Sequence, residues 1–266
     1  MQDGQVFKLG DKIAVIEITG VITDSKAINK EIIEYGERDD IKAVILRIDS
    51  PGGGVGPSQE IYREVKKLKN KKKVIASMGS VAASGGYYIA AASDKIFANP
   101  GTLTGSIGVI MEFANAEELL SKIGVKGYVV KSGEYKDIGS PIRKMKDNEK
   151  KLLQSVIDNV HEQFVQVVSE NRGIKVDDAK GIADGRIFTG AQAKKLNLVD
   201  ELGNLQDTID AAAKIVGIKG KPVVIYPRKK GLSIWDMLFS EDAVSQIMNK
   251  LKIGYDLKYI LPYAVK

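Results

Sequence analysis

The chain has 266 residues, with 40 Lys and Arg against 34 Asp and Glu, and it contains no Cys and a single His, His161. The absence of Cys excludes disulfides, a thiol nucleophile and metal centres built on thiolates. One His excludes a multi-histidine metal centre within one subunit and leaves one candidate for a Ser-His catalytic pair. The length suits one large domain or two small ones.

The net charge of +6 does not by itself indicate a nucleic-acid partner. Six lysines fall between residues 66 and 73 without interleaved aromatic residues, so we interpret them as a solvated surface. No stretch reaches the ~18 apolar residues of a membrane span, and the polar N-terminus lacks the features of a signal peptide. We therefore expect this sequence to behave as a soluble protein with no nucleic-acid partner.

Predicted strands and helices alternate in the first half of the chain. In order, the patterns predict a strand at 13–18, a helix at 25–38, a strand at 43–48, a helix at 58–69, a strand at 74–78, a buried helix at 84–92, strands at 95–98 and 107–113, a helix at 116–123 and a strand at 127–131. The strand segments are almost continuously apolar, as expected for strands covered on both faces. This alternation indicates an α/β fold with a mostly parallel sheet.

A long amphipathic helix at 148–171 follows, because apolar residues recur there at i, i+3, i+4 and i+7 spacing. Helices at 176–183, 190–196 and 206–216 and a strand at 223–226 complete the predicted elements. We predict one domain over residues 1–227 and a C-terminal amphipathic extension over 228–266, which has the character of an interaction arm.

Two glycine-rich segments each follow a predicted strand, at 50–54 and 79–86. In a parallel sheet both lie at the carboxyl ends of the strands, where ligand sites of α/β proteins form. Glycine allows close approach of a substrate backbone and leaves amides free to bind an oxyanion. A packing turn or a phosphate cradle is the alternative, although neither segment has P-loop or GxGxxG spacing.

Ser84 is the candidate nucleophile, since it begins the predicted buried helix at the positive end of the helix dipole. A simple helix-capping role is the alternative. A base must accompany it, and His161 lies inside the long helix, where a surface side chain is the better interpretation. Lys136 follows the predicted strand at 127–131 in a Gly/Ser/Pro loop. A lysine can act as base if burial lowers its pKa.

Four segments together resemble one known family. They read DSPGGG at 49–54, GSVAASGGYY at 79–88, TGSIGV at 104–109 and SGEYKDIGSP at 132–141. Residues 185–193 and 198–203 match a further segment of the same family. The sequence is similar to the signal peptide peptidase A family, in its short form, which comprises serine peptidases of the S49 type. The resemblance covers residues 12–225, and nothing beyond Pro227 matches.

The resemblance implies a ClpP/crotonase-like α/β fold, a spiral of repeated ββα units, and a Ser-Lys dyad. Ser84 matches the family nucleophile, Lys136 the general base, and Ser106 a serine that orients the lysine. The implied reaction is peptide hydrolysis through an acyl-enzyme, without metal or cofactor.

The resemblance also implies an oxyanion hole. Gly53 and Gly85 match the positions whose backbone amides form it. Gly52 takes the place of Gly53 if the register of the triple glycine is shifted by one residue.

The resemblance further implies partners and location. Family members form homo-oligomeric rings in which serine and lysine can come from neighbouring protomers. Their substrates are remnant signal peptides and other apolar peptides. They act at the extracytoplasmic face of the cell membrane, held by an N-terminal anchor. This sequence contains no such anchor, and we expect it to have been removed.

Three alternatives stay open at this stage. A ClpP-like Ser-His-Asp triad requires a histidine about twenty residues after the serine, where this sequence has Ser106 instead. A crotonase-type acyl-CoA enzyme requires a catalytic glutamate, and Glu112 has no supporting motif. An inactive ring scaffold that binds apolar peptides is the third.

The end of the extension supports a separate hypothesis. Residues 260–266 are largely small and apolar, like the implied substrates, so the extension is a candidate to dock in an active-site groove. A helix that packs on the surface or on a neighbouring subunit is the alternative.

Overall fold

A mostly parallel sheet forms the centre of the fold. The computed structural model of the chain describes residues 10–227 and 258–260. These described residues fall into two compact units. The first comprises the chain up to Val109, the segment His161–Pro227 and residues 258–260, and the second comprises Ile110–Val160. The domain boundary at residue 227 stays a prediction, since most of the residues beyond it lie outside the described part.

All strands of the described residues belong to the first unit. They are β1 (Lys12–Thr19), β2 (Ile41–Ser50), β3 (Gly52–Gly54), β4 (Lys73–Ala83), β5 (Lys95–Ala98), β6 (Leu103–Gly105), β7 (Ile187–Thr189), β8 (Glu201–Leu202), β9 (Val223–Ile225) and β10 (Lys258–Ile260). The main described sheet has eight strands in the order β7-β6-β4-β2-β1-β9, with β5 paired to β4 and to β8. Every pair in it is parallel except β6 with β7.

The helices lie in both units. They are α1 (Lys26–Glu37), α2 (Val55–Lys69), α3 (Gly85–Ala90), α4 (Glu117–Lys122), α5 (Asp147–Arg172), α6 (Val176–Ile182), α7 (Gly190–Lys195) and α8 (Leu205–Ile215). Within the described range, none of them is both long enough and apolar enough to cross a membrane.

The apolar runs that predicted β1, β2 and β4 form the core. Ile13, Ile45 and Ile75, one from each strand, are fully buried and pack with Ile209 of α8 in one cluster. Burial of an aliphatic side chain of this size contributes about 1.5–3 kcal/mol, so this cluster is a main source of stability. The predicted parallel α/β arrangement is confirmed.

Strand β4 extends further than the sequence predicts. Residues 79–83, predicted as a loop, continue the strand to Ala83. Two side chains satisfy the backbone there: the amide of Val81 donates to Asp49 Oδ1 at 3.0 Å, and Thr102 Oγ1 donates to the Gly79 carbonyl at 2.7 Å. The longer strand brings the chain directly to Ser84.

Two predicted strands are wrong. Residues 107–113 form no strand, because Gly105 (φ +79°) and Ser106 (φ +49°) turn the chain out of the sheet after β6. Residues 127–131 form none either, and Val130 is fully exposed there. In residues 127–131 the β-branched side chains are exposed and lack the buried, paired surface on which strand propensity depends.

Candidate active site

Ser84 lies between the end of β4 and the start of α3. Its backbone is left-handed, at φ +53° and ψ −117°, a conformation that costs a non-glycine residue about 1–3 kcal/mol. The side chain is only 1% exposed, and among the residues that the structure describes none hydrogen-bonds to its Oγ. In particular the hydroxyl does not cap α3. The positive φ and the absence of a capping bond argue against the helix-cap alternative for Ser84, and its role as nucleophile stays a prediction.

Ser106 lies beside Ser84 because of sheet register. Ala83 of β4 pairs with Gly105 of β6, and each serine is the next residue along its strand. The amide of Ser84 donates to the Gly105 carbonyl at 2.8 Å, and the amide of Ser106 donates to the Arg186 carbonyl at 2.8 Å. Ser106 is 5% exposed. The structure therefore brings these two predicted site residues together.

The triple glycine lies against Gly85. A Cβ on Gly52 would be 2.8 Å from the Gly85 nitrogen, and a Cβ on Gly85 would be 3.3 Å from the Gly53 nitrogen. The Gly52 amide donates to Ser50 Oγ at 3.1 Å, and the Gly54 amide donates to the Ile22 carbonyl at 2.8 Å. The Gly52 amide is thus engaged by a side chain, and the choice of Gly53 as the partner of Gly85 in an oxyanion hole stays a prediction.

Strand β10 occupies the edge of this glycine segment. It pairs antiparallel with β3, with Tyr259 opposite Gly53. The Tyr259 carbonyl oxygen lies 2.0 Å from the place of a Cβ on Gly52 and 3.2 Å from that of a Cβ on Gly85. An extended peptide can therefore approach these glycines only because they lack side chains. The rest of the predicted extension lies outside the described residues.

An aromatic pocket receives the Tyr259 side chain, which is fully buried. Its ring stacks on Tyr88 at 5.2 Å between centroids and packs against Phe164 at 4.8 Å, and Tyr62 adds an edge contact to Tyr88 at 5.0 Å. Burial raises the pKa of Tyr88 to about 12 and also raises that of Tyr62, so both phenols are neutral at physiological pH. No local sequence pattern predicts this pocket, and the Tyr87-Tyr88 pair after the glycines is its one signal in the sequence.

Comparison with known proteins identifies the family. The family model for peptidase family S49 matches residues 66–219. A candidate protease of Synechocystis sp. is 49% identical over 209 residues, which are 78% of this chain and 75% of the relative. A candidate signal peptide peptidase SppA of Enterococcus faecium is 37% identical over 229 residues, 81% of this chain and 67% of the relative. This chain belongs to peptidase family S49.

Within family S49 the relatives differ in length. Protease 4 of Haemophilus influenzae is 33% identical over 222 residues, which are 79% of this chain and 36% of that protein. The family model for Clp protease matches residues 5–103. Together with the parallel sheet, these matches confirm the predicted ClpP/crotonase-like α/β fold and identify the chain as a serine peptidase of family S49.

Lys136 belongs to the second unit, whereas Ser84, Ser106, Gly53 and Gly85 belong to the first. Its amide donates to the Gly133 carbonyl at 3.2 Å, and its side chain is exposed. The prediction that Lys136 follows a sheet strand is wrong, because residues 127–131 form no strand. Its role as the base of this S49 peptidase stays a prediction.

The side chains behind the alternative mechanisms have other surroundings. Nε2 of His161 lies 2.6 Å from the Ala183 carbonyl oxygen, and because a carbonyl only accepts, Nε2 donates there. That nitrogen is thus engaged in a structural hydrogen bond on α5. Glu112 is exposed and belongs to the second unit. Neither arrangement supports a Ser-His-Asp triad or an acyl-CoA site.

Proposed function

We propose that this S49 peptidase hydrolyses apolar peptides, remnant signal peptides in particular, through an acyl-enzyme on Ser84 with Lys136 as general base. The observation that carries the proposal is the buried, unsatisfied Ser84 hydroxyl on a left-handed backbone beside the glycine amides. Strained backbone conformations of this kind cluster at functional sites, where they can pre-organise a reacting group.

The proposed reaction has two acyl-transfer steps. Neutral Lys136 accepts the Ser84 proton while Oγ attacks the peptide carbonyl carbon, and the Gly53 and Gly85 amides donate to the oxyanion. The lysine ammonium then gives its proton to the leaving amine as the C–N bond breaks. In the second step Lys136 accepts a proton from water as the water oxygen attacks the Ser84 ester. The lysine then returns the proton to Ser84 Oγ, and the carboxylic acid product is released. Ser106 orients the lysine amine, and no metal or cofactor takes part.

Substrate binding is proposed to follow the β10 arrangement. A peptide adds as an antiparallel strand to β3, so that main-chain hydrogen bonds supply affinity and one side chain enters the aromatic pocket of Tyr62, Tyr88 and Phe164. All three of these lining residues are aromatic, so the pocket favours an apolar or aromatic side chain. This matches the hydrophobic segments of signal peptides.

Assembly and location belong to the same proposal. We propose a homo-oligomeric ring in which Lys136 serves the Ser84 of a neighbouring protomer, located at the extracytoplasmic face of the cell membrane. The exposure of Lys136 supports this assembly. So does a set of exposed apolar side chains in the second unit, which a further copy would cover: Leu119, Ile123, Tyr128 and Val130.

Labelling with a fluorophosphonate tests the nucleophile. We expect modification of Ser84 and no other serine, and loss of both labelling and peptide hydrolysis in Ser84→Ala. Ser80→Ala, an exposed serine on the same strand, is the matched control and should retain both. Lys136→Ala should abolish hydrolysis with the oligomer intact. Labelling at another serine, or full turnover in either site variant, would refute the proposal.

A further inference from the structure

One charged cluster in the second unit takes no direct part in the proton transfers of the proposed reaction. We call it the Arg143 clamp, and it consists of Lys131, Asp137, Arg143 and Glu149. Arg143 donates to both carboxylate oxygens of Asp137, through Nε at 2.7 Å and Nη2 at 2.9 Å, and also to the Asp137 carbonyl at 3.1 Å. Lys131 Nζ donates to the same carboxylate. Both the side chain and the main chain of residue 137 are therefore fixed.

The other side of the clamp is anchored in α5. Glu149 lies in the first turn of that helix, its side chain is completely buried, and it accepts from Arg143 Nη1 at 2.9 Å and from the Lys146 amide at 2.8 Å. The hydrogen bonds from Arg143 lower the pKa of Glu149 to about 2 and hold that of Asp137 below its usual value. Both carboxylates are thus ionised at neutral pH, and Arg143 links the 131–143 loop to a helix.

The Arg143 clamp lies directly next to Lys136 in the chain. Asp137 is the next residue after Lys136, and the loop around them contains no regular strand or helix. A loop without regular structure does not by itself fix a side chain to the tolerance that proton transfer requires. The bidentate fork of an arginine supplies such a constraint, which the single ammonium of a lysine does not reproduce.

We propose that Arg143 is the positioning residue of the proposed base: by clamping Asp137 to Glu149 it fixes the loop that carries Lys136. The inference rests on the proposed function, since it presumes that Lys136 is the base. It adds Arg143, Asp137 and Glu149 to the residues on which turnover depends, acting through Lys136 and not on the reacting atoms.

The test compares two variants by steady-state kinetics on an apolar peptide. Asp137→Asn weakens the clamp at the loop and leaves the ion pair of Arg143 with the buried Glu149 intact, so we expect the fold to be retained. Arg143→Lys keeps the charge but loses the fork. We expect kcat to fall about tenfold or more in each, with KM within about twofold, because positioning acts on the reacting group and not on peptide binding. Arg38→Lys, which breaks a similar fork to Asp40 away from the site, is the control and should change neither constant.

Two outcomes separate the inference from the proposed function. Wild-type kcat in Asp137→Asn and Arg143→Lys, with Lys136→Ala inactive, would overturn the clamp and leave the dyad standing. Full activity in Lys136→Ala would overturn the dyad and the clamp with it. A rise in KM without a fall in kcat would also overturn the inference, because it would indicate a role in binding.

Discussion

Ser84 and Ser106 occupy equivalent positions at the ends of two neighbouring parallel strands, and both have a left-handed backbone, with φ of +53° and +49°. The hydrogen bond from the Ser84 amide to the Gly105 carbonyl fixes this relationship within the sheet. Their proximity therefore depends on strand register and not on the conformation of a flexible loop. A residue whose backbone is fixed by the sheet beside the proposed nucleophile is suited to orient the proposed base.

Removing the Ser106 hydroxyl should consequently impair catalysis. We expect Ser106→Ala to lower kcat about 10²-fold, within the range attributed to a correctly placed acid–base group, while KM changes little. Fluorophosphonate labelling of Ser84 should slow in parallel. Ser106→Gly, which relieves the left-handed strain, should be equally impaired if the hydroxyl is what matters. Wild-type rates in both variants would refute the role of Ser106.

A side chain at Gly53 should be incompatible with the site. The Cβ of an alanine there would lie 2.1 Å from the Ile22 carbonyl oxygen, so β3 would have to move. We expect Gly53→Ala to lose peptide hydrolysis and about 1–3 kcal/mol of unfolding free energy, measured by urea denaturation. Gly56→Ala, in open space on α2, is the control and should gain up to about 1 kcal/mol with activity unchanged. A Gly53→Ala variant with wild-type activity and stability would contradict the proposed role of Gly53 in the oxyanion hole.

The sequence predicts the sheet, and the edge at which the candidate site lies, because both follow from the pattern of apolar residues in single segments. Buried apolar runs specify strands β1, β2 and β4, and parallel strands bring their carboxyl ends to one edge, so Gly53 and Ser84 were expected to meet. Ser106 required the family resemblance, since a serine after a three-residue strand carries no pattern of its own.

What the sequence could not predict depends on contacts between distant residues. Tyr259 pairs with Gly53 across about two hundred residues of chain, and no local pattern encodes that pairing. Residues 127–131 show the converse, since their strand-like composition has no partner strand in the described part of the chain. The sequence does not predict the contacts of Arg143, because the two carboxylates that it joins, Asp137 and Glu149, are brought to it only by the fold.

Because of the aromatic pocket, the free energy of unfolding should decrease as the pH rises above about 10. Burial raises the pKa of Tyr88 from 10.0 to about 12, so the neutral phenol is favoured in the folded state. A raised pKa contributes stability that is present below pH 10 and is lost as the pH rises towards 12. We expect about 2 kcal/mol of unfolding free energy to disappear over this interval through Tyr88.

Urea denaturation at several pH values between 8 and 12 measures this loss. Tyr88→Phe should flatten the dependence, although it also sacrifices a hydrogen bond at neutral pH, so the slopes are compared and not the absolute stabilities. Tyr226→Phe, at an exposed tyrosine, should leave the slope as in the wild type. Equal slopes in wild type and Tyr88→Phe would show that the phenol is not buried as described.

The C-terminal segment should compete with substrate, because Tyr259 already holds its carbonyl beside Gly52 and Gly85 and its ring in the aromatic pocket. A tethered competitor has a high effective concentration, so deleting residues 240–266 should raise kcat/KM for an added apolar peptide by roughly tenfold. Tyr259→Ser in the full chain should give part of that gain, and Tyr226→Ser none. A synthetic peptide of residues 255–266 should inhibit the shortened enzyme competitively. If the deletion leaves kcat/KM unchanged and the peptide does not inhibit, the segment packs on the protein without competing for the site.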